Sequence, residues 1–540
     1  MSKKKVIGLT AGALALTTML AGCGTPVDDG TKIDPSKTQI YVSAWNGGFG
    51  VEWLNQAAAA FNEKNSEVQV IINPNKDAYT SGIKPGIQAG TSTNDIYITP
   101  TTYCVDLGIQ GYLEDLSDVW EADPEGDGTT IEQDIIDAEQ FKRAYSSKGK
   151  VYALPHNEAI QGFVYDHSIF VEKGYLMTEA DGITLTAGKD GKVGTYDDGQ
   201  PTTIAEWDMM IQRMVSDGVY PFFWNGMYAT DYLASLQEAL LAQYIGMDSY
   251  LTTWSYDGEY TYADGTKETI TPATGYKLTK LPEKKVVIDW MEKYLCSNAN
   301  YYHPSSKYTS VSHTDAEALF VLGYQNTTSN PQSAMLYEGV WWENETRATF
   351  VSLANRGAVE YKYGTRDYRY MLLPAMDGQR GANGDGTGSV ISVSENGNIF
   401  LKKQKNETKR TYAKEFIKYI VSDEVSKAFT TQTGGLRPYK YELGENELSQ
   451  MTVFAKNAYA LYSDAENVSY IRVGPLEYSC EMNYLTNPVV RRWGSKVGGR
   501  EFMRVYDGLQ NHSAADFYAG MDSFATESYW KPIYEKYLAL

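Results

Sequence analysis

Cysteine is scarce in this chain: four in 540 residues, at positions 23, 104, 296 and 480. A disulfide-stapled scaffold is thereby excluded, and one bridge among the last three is the most the count allows. Histidine is nearly as scarce. The five, His156, His167, His303, His313 and His512, show no H-E-x-x-H and no clustered spacing, so a zinc site is not expected. Positive charge is in deficit, leaving a formal net charge of −20 at pH 7. So acidic a surface repels nucleic acid and anionic lipid, and it favours a neutral or cationic partner. Past residue 20 no apolar run approaches a membrane span, so a soluble body is expected. There is no repeat of solenoid period and no low-complexity tract.

The N-terminus carries a charged start and an apolar run. Lys3, Lys4 and Lys5 precede Val6 to Leu20, too short for a comfortable span. Leu20-Ala21-Gly22-Cys23 then sets small residues before a cysteine and resembles the lipobox of bacterial lipoproteins. The resemblance implies that residues 1–22 are a signal peptide and that Cys23 becomes the lipidated N-terminus. Residues 23–37, polar and poor in bulky apolar side chains, read as a flexible anchor linker. The expected location is the extracellular face of a bacterial cell membrane, held by lipid only.

From Thr38 the pattern is α/β. "TQIYVSAW" reads as a strand, "VEWLNQAAAAFNEKN" as an amphipathic helix with Leu54, Ala57, Ala58 and Phe61 on one stripe, and "EVQVIINP" as a second strand. "SGIKPGIQAGTS" is a shorter helical segment and "NDIYIT" a third strand, an order that argues for parallel strands joined by crossover helices. Further on, Thr203 and Glu206 form a capping box ahead of the stripe Trp207, Met210, Ile211 and Met214, with Gly218 as the stop. "KRTYAKEFIKYIVSDEVSKAFTTQTGG" is helical in period and ends on glycines. Gly- and Asp-rich inserts such as "SYDGEYTYADGTKE" read as surface loops or hairpins.

Taken in order, the lipobox, "AWNGGFGVEWLNQAAAAFNEKN", "NDIYITPTTYCVDLGIQGYLEDLSDV", "GKVYALPHNEAIQGFVYDHSIFVEKGY", "SAMLYEGVWWENE", "YMLLPAMDG" and "EFIKYIVSDEVSKAFTTQTGGLRPY" resemble the family 1 extracellular solute-binding proteins, the maltose-binding-protein-like lipoproteins of ABC sugar importers. The likeness runs from about Thr38 to about Tyr439. It implies an α/β, two-lobed periplasmic-binding-protein-like fold with a hinge and an interlobe ligand cleft. Lobe 1 would hold 38–160 plus 375–433, and lobe 2 would hold 161–374 plus 434–540. Crossings would fall near Ala159 to Val164, Tyr370 to Pro374 and Thr433 to Arg437. Physics favours such a cleft independently: ligands of open parallel sheets bind outside the strands' carboxyl ends, and interdomain grooves are favoured pockets. Closure of two lobes about a few hinge residues is an established switching mode.

A sugar offers a flat C–H face and a rim of hydroxyls, so its site needs aromatic platforms and groups that donate and accept hydrogen bonds. The segment "YEGVWWENE" supplies both. On an extended backbone its two indoles point oppositely, so one is expected to face the cleft; the resemblance places a sugar-stacking tryptophan in this segment, and Trp341 is taken as that one, with Trp342 packed inside. Glu338 would accept hydroxyl hydrogens. Trp45 and Asn46 open the glycine-rich turn after the first strand, where no P-loop lysine follows. Asp77 follows the second strand, and Thr102 with Tyr103 the third, both at cleft-facing ends. The resemblance adds Trp224, Asn225 and Tyr228 from "PFFWNGMY", and Arg437, which would fork two hydroxyls or clamp the hinge to a carboxylate.

Asp190, Asp197 and Asp198 gather around glycines in "KDGKVGTYDDG" as a candidate oxygen cage for calcium, the only cofactor considered and not a required one. Lys192 within it favours an acidic hairpin. The expected function is capture of a neutral oligosaccharide and its delivery, unchanged, to ABC permease subunits by a monomeric receptor. The alternatives are a secreted glycoside hydrolase, drawing its two carboxylates from "YEGVWWENE" and "PHNEA", and a glycan-binding adhesin with no role in transport.

Overall fold

The computed structural model describes residues 33–76, 82–100, 104–262, 264–477 and 480–539. The proposed signal peptide and Cys23 lie outside them, as do Asp77, Thr102 and Tyr103. Residues from Asp34 to Leu540 form one compact unit. Among the described residues no helix is long and apolar enough to cross a membrane.

The unit is organised by one nine-stranded sheet. Its strands are β1 (Thr38–Trp45), β2 (Val68–Asn75), β3 (Ile96–Thr99), β4 (Leu154–Asp166), β5 (Tyr220–Phe223), β6 (Ser333–Gly339), β7 (Tyr368–Met371), β8 (Ser389–Leu401) and β9 (Val468–Arg472). The order across the sheet is β2-β1-β3-β8-β4-β6-β5, with β7 pairing β4 and β9 pairing β8. β1 is parallel to β2 and β3, as the strand–helix–strand spacing predicts. The helix between β1 and β2, α1 (Glu52–Lys64), buries Leu54, Ala57, Ala58 and Phe61. The hairpin expected in "SYDGEYTYADGTKE" forms from Gly258–Thr261 and Lys267–Ile270.

Both halves of the sheet share two thirteen-residue strands. β4 pairs with β8 over Leu154–Gln161 and with β6 over Gln161–Tyr165. β8 pairs with β9 at Ser389–Val393 and with β3 at Asn398–Leu401, with register shifts between Glu395 and Asn398. Such irregularities bend a strand and re-aim it, which suits a chain leaving one lobe for the other.

Three cores flank this sheet. The first gathers β1–β3, α1 and the later helices α6 (Glu407–Ile420) and α7 (Asp423–Thr433) around Ile40, Leu54, Phe61, Phe416 and Phe429. The second and largest surrounds α3 (Ile204–Ser216) and α4 (Ala229–Ile245), with Trp207, Trp224, Leu240 and Trp290. The third lies on β4 and β6 and holds Ile160, Leu336, Trp342 and Phe454. The capping box is present, Thr203 accepting from the Glu206 N–H and Glu206 accepting in return.

Met376, Ala382 and Val390 pack in the second core, whereas Ile399, Phe400 and Leu401 pack in the first. β8 thus runs from the second core to the first, while β7 is tied by backbone bonds to Phe163–Asp166 of β4. Leu436 meets Glu158 at the crossing, yet Tyr439 still packs in the first core, so the last departure falls between Tyr439 and Phe454. The single helix read over residues 409–435 is two, broken at Val421-Ser422 and stopped by Gly434 at φ +68°.

Candidate functional site

β6 ends at Gly339, and Trp341 and Trp342 follow at the entry to α5 (Trp342–Glu345). Trp341 has helical dihedrals, φ −74° and ψ −18°, so the two indoles diverge by the step of a helix and not by the alternation of a strand. Trp342 is fully buried among Phe320, Phe350, Tyr368 and Phe454. Trp341 is half-buried, and its indole lies over Gly339 so closely that no Cβ fits there. Gly48, from the β1–α1 turn of the other lobe, approaches from across the gap: a Cβ there would stand 2.8 Å from the Trp341 Cβ. Glycine is required at both places by close approach.

Trp341 walls a cavity of ≈ 400 Å³, inside the range of roughly 300–1,000 Å³ usual for small-ligand sites. Tyr232 of α4, Gln161 of β4 and Ser392 of β8 line it, together with Glu477, Trp493 and Arg504 from the C-terminal region. Its floor is a hydrogen-bonded network in which Arg492 Nε and Trp254 Nε1 stay without a partner. Arg492 donates to both oxygens of Glu238 at 3.0 Å and to Thr253 Oγ1 at 2.6 Å. The Trp493 indole N–H and the Tyr250 hydroxyl donate to the same carboxylate at 2.8 and 3.0 Å. The Arg492 guanidinium stacks 3.9 Å above the Trp254 ring. A buried charge held in this way is compensated and stiff.

Glu338 does not present its carboxylate to the cavity. It is 1 % exposed, accepts from the Tyr232 hydroxyl at 3.1 Å, and lies against the indole N–H of Trp341 and the carboxyl of Glu317. Its Oε2 has no partner in hydrogen-bond geometry. Burial first, then the nearby Glu345 charge, pushes Glu338 well above the usual carboxylate range. Glu317 is raised likewise by burial and by Glu338, with Thr346 donating to it at 3.0 Å. His313 Nε2 stands 3.5 Å from Glu345, whose pKa burial also raises. Three carboxyls so close cannot all ionise in a buried site. The residue expected to bind hydroxyls is a positioning residue: it braces both aromatic walls, Tyr232 and Trp341, from behind.

The other expected contacts distribute as follows. Trp224 is fully buried in the second core, its indole N–H donating to the Tyr506 hydroxyl at 3.2 Å, and is not available to a ligand. Asn225 is 1 % exposed because its Oδ1 accepts the Tyr228 N–H at 2.8 Å, tying down the turn into α4. Tyr228 is exposed beside His313 and does not line the cavity. Trp45, half-buried, covers Gly47, and Asn46 is half-buried in the same turn; neither lines the cavity. Arg437 is fully buried and clamps the hinge region to backbone carbonyls, not to a carboxylate: Nε donates to His156 O at 2.9 Å and Nη1 to Ile420 O at 2.7 Å.

The calcium cage closes on the protein's own donors. One Asp197 oxygen accepts the backbone N–H groups of Lys189 and Asp190 at 2.7 and 3.1 Å, and the other accepts the Thr195 hydroxyl at 2.9 Å. Asp198 accepts the Gly194 N–H at 2.7 Å, and Asp190 accepts that of Lys192 at 2.7 Å. Among the described residues no group of three His, Cys, Asp or Glu side chains is placed to hold a metal ion.

Glu158 of "PHNEA" is also committed. It is fully buried and ion-paired with Arg472, which also pairs with Asp137, while the Tyr462 hydroxyl donates to it at 2.5 Å. This network ties β9 to β4 and to the first lobe. The short helix α8 (Val473–Glu477) then packs against the first-lobe helix α2 (Ala138–Tyr145). Sequence reasoning missed this C-terminal contribution, although "VVRRWGSK" set two arginines and a tryptophan together as a visible signal.

The model of the bacterial extracellular solute-binding proteins matches residues 56–453. No curated protein matches the chain by sequence. Among solved structures, a chitin oligosaccharide binding protein aligns at TM-score 0.56 and 14% identity, over 93% of this chain and 100% of that one. The solute-binding protein RafE in complex with raffinose aligns at 0.52 and 14%, over 92% and 100%. Maltose-bound MalE3 of T. maritima aligns at 0.52 and 15%, over 90% and 99%. At such identities the likeness establishes the fold, two α/β lobes about shared strands. With the family model matched over well more than half its length, this chain belongs to the bacterial extracellular solute-binding proteins.

Proposed function

We propose that this protein captures a neutral oligosaccharide against Trp341 and hands it, chemically unchanged, to the permease of an ABC importer. The observation that carries the reading is one half-buried indole walling a ≈ 400 Å³ cavity beside polar side chains, with its twin sealed in the core. An aromatic face matches the apolar side of a pyranose, and the polar flank matches its hydroxyl rim. The three aligned structures named for chitin oligosaccharide, raffinose and maltose support a glycan cargo. The net charge of −20 favours an uncharged one. Closure of the lobes, with the Gly48 turn set against Trp341 as it is here, would exclude water and form the surface a permease reads. Lipid on Cys23 would keep the receptor at the outer face of the membrane.

Retention without chemistry is supported by the state of the two carboxylates that a hydrolase reading draws on, Glu158 and Glu338. Glycoside hydrolysis needs a pair about 5–9.5 Å apart and open to the sugar, whereas Glu158 is locked to Arg472 and Glu338 is buried behind Trp341. The test is a melting-temperature screen of the full chain against maltotriose, raffinose, cellotriose and chitotriose, with chromatography of each glycan afterwards. A rise with at least one intact glycan is expected, since a ligand bound only by the native state stabilises it. No rise with any glycan, or product released at catalytic rates, refutes the reading.

A further inference from the structure

In the cavity lining Arg492 and Glu238 are paired with each other, whereas two half-buried charges of the C-terminal wall are not. Glu477, at the end of α8, and Arg504, just before the short helix Val505–Leu509, both line the cavity and are both half-buried. Among the described residues neither side chain makes an ion pair or a hydrogen bond, with the other or with any third group. The contrast with the surroundings is sharp. Arg492 is bound to Glu238 and Thr253, and Arg472 to Glu158 and Asp137. Leaving a half-buried guanidinium and a half-buried carboxylate both unmatched costs free energy that a bound group would recover. The two are near enough for their charges to be felt: after burial, which raises the Glu477 pKa, the largest opposing influence is Arg504.

We propose that Arg504 and Glu477 form a donor–acceptor fork that selects the cargo, gripping one neutral substituent that both accepts and donates hydrogen bonds. An arginine offers only donors and an ionised glutamate only acceptors. A group placed between them must therefore give an acceptor to one and a donor to the other. A pair of neighbouring pyranose hydroxyls does so, and so does an acetamido group, through its carbonyl and its N–H. A carboxylate does not, because it would meet Glu477 with no proton to share. Both fork residues lie beyond residue 453, where the match to the family model ends. The fork is thus a feature of this chain's own C-terminal region, lining the same cavity as Trp341. This inference rests on the glycan-capture reading above.

The test is calorimetric titration of the full chain and of Glu477→Gln, Arg504→Lys and Arg504→Gln with chitotriose, maltotriose and trigalacturonate. Arg504→Lys keeps the charge and loses the planar fork, and melting curves without ligand check that each variant is folded. For the neutral glycan that binds the wild type best, the expected result is at least a tenfold loss in Glu477→Gln and in Arg504→Gln. The double variant should lose little more than either single one, since both grip one group. Chitotriose as the sensitive glycan identifies an acetamido substituent, and maltotriose identifies hydroxyls. Wild-type affinity in both single variants overturns the fork and leaves glycan capture standing. Tightest binding of trigalacturonate, lost in Arg504→Gln but not in Glu477→Gln, also overturns it. No binding of any of the three glycans to the wild type overturns the fork together with the reading beneath it.

Discussion

Replacing the two adjacent tryptophans one at a time should separate stability from binding. Trp342 is wholly buried against four aromatic rings, so Trp342→Ala leaves a core cavity. Large-to-small changes of this kind cost about 3–5 kcal/mol. A compact unit of roughly 500 residues unfolds with an entropy of about 1.1 kcal/mol/K, so the melting temperature should fall by about 3–5 °C. Trp341 keeps one face open to the cavity, and its removal should lower the melting temperature by no more than about 2 °C. Glycan affinity should respond in the opposite order. A central aromatic platform is worth at least about 2 kcal/mol, or about a 30-fold change in Kd. Differential scanning calorimetry and isothermal titration of both variants with the best-bound glycan measure the two effects. Unchanged affinity in Trp341→Ala, or lost affinity in Trp342→Ala at an unchanged melting temperature, would refute the division of roles.

Glu343 tests the electrostatics of the same helix. Burial raises its pKa to about 7, against the hydrogen bond from Thr452 at 2.6 Å. A folded-state pKa above the unfolded value means that the native state holds the extra proton, so stability should decline as pH rises from about 4.5 to about 7. Glu343→Gln should flatten that slope in chemical denaturation, and an unchanged slope would contradict the assignment. Arg437→Met strands the carbonyls of His156 and Ile420 and should cost about 2–4 kcal/mol in denaturant unfolding, with glycan affinity unaltered. Millimolar calcium should leave the melting temperature unchanged, because the Asp197 oxygens are already filled by the chain's own donors; a rise abolished by Asp197→Asn would show that the loop reopens for metal.

The parts of the fold that were legible in the sequence are those set by local physics. The β1 strand, the stripe of α1 and the Thr203–Glu206 box follow from period and capping, and each forms where its pattern lies. Lobe crossings are not local. Nothing in "YMLLPAMDG" shows that β4 will hold Tyr368–Met371 back while β8 makes the passage. The same limit governs the site. Trp224 and Trp341 look alike in sequence, each an aromatic two residues from a glycine. Only tertiary packing puts Trp224 beneath Tyr506 and leaves Trp341 at a wall. Glu338 reads as a hydroxyl acceptor until its burial shows that it faces Tyr232 and the back of Trp341. The fork was hidden for another reason: Glu477 and Arg504 are separated from Trp341 by more than a hundred residues, and no motif joins them.

A crystal structure of the full chain grown with its best-bound glycan tests the central claim most directly. The account predicts a sugar ring lying flat on the Trp341 indole, with the Gly48 turn closed over it and intact glycosidic bonds. A glycan bound elsewhere, or a Trp341 ring still facing empty solvent at saturating glycan, would contradict it.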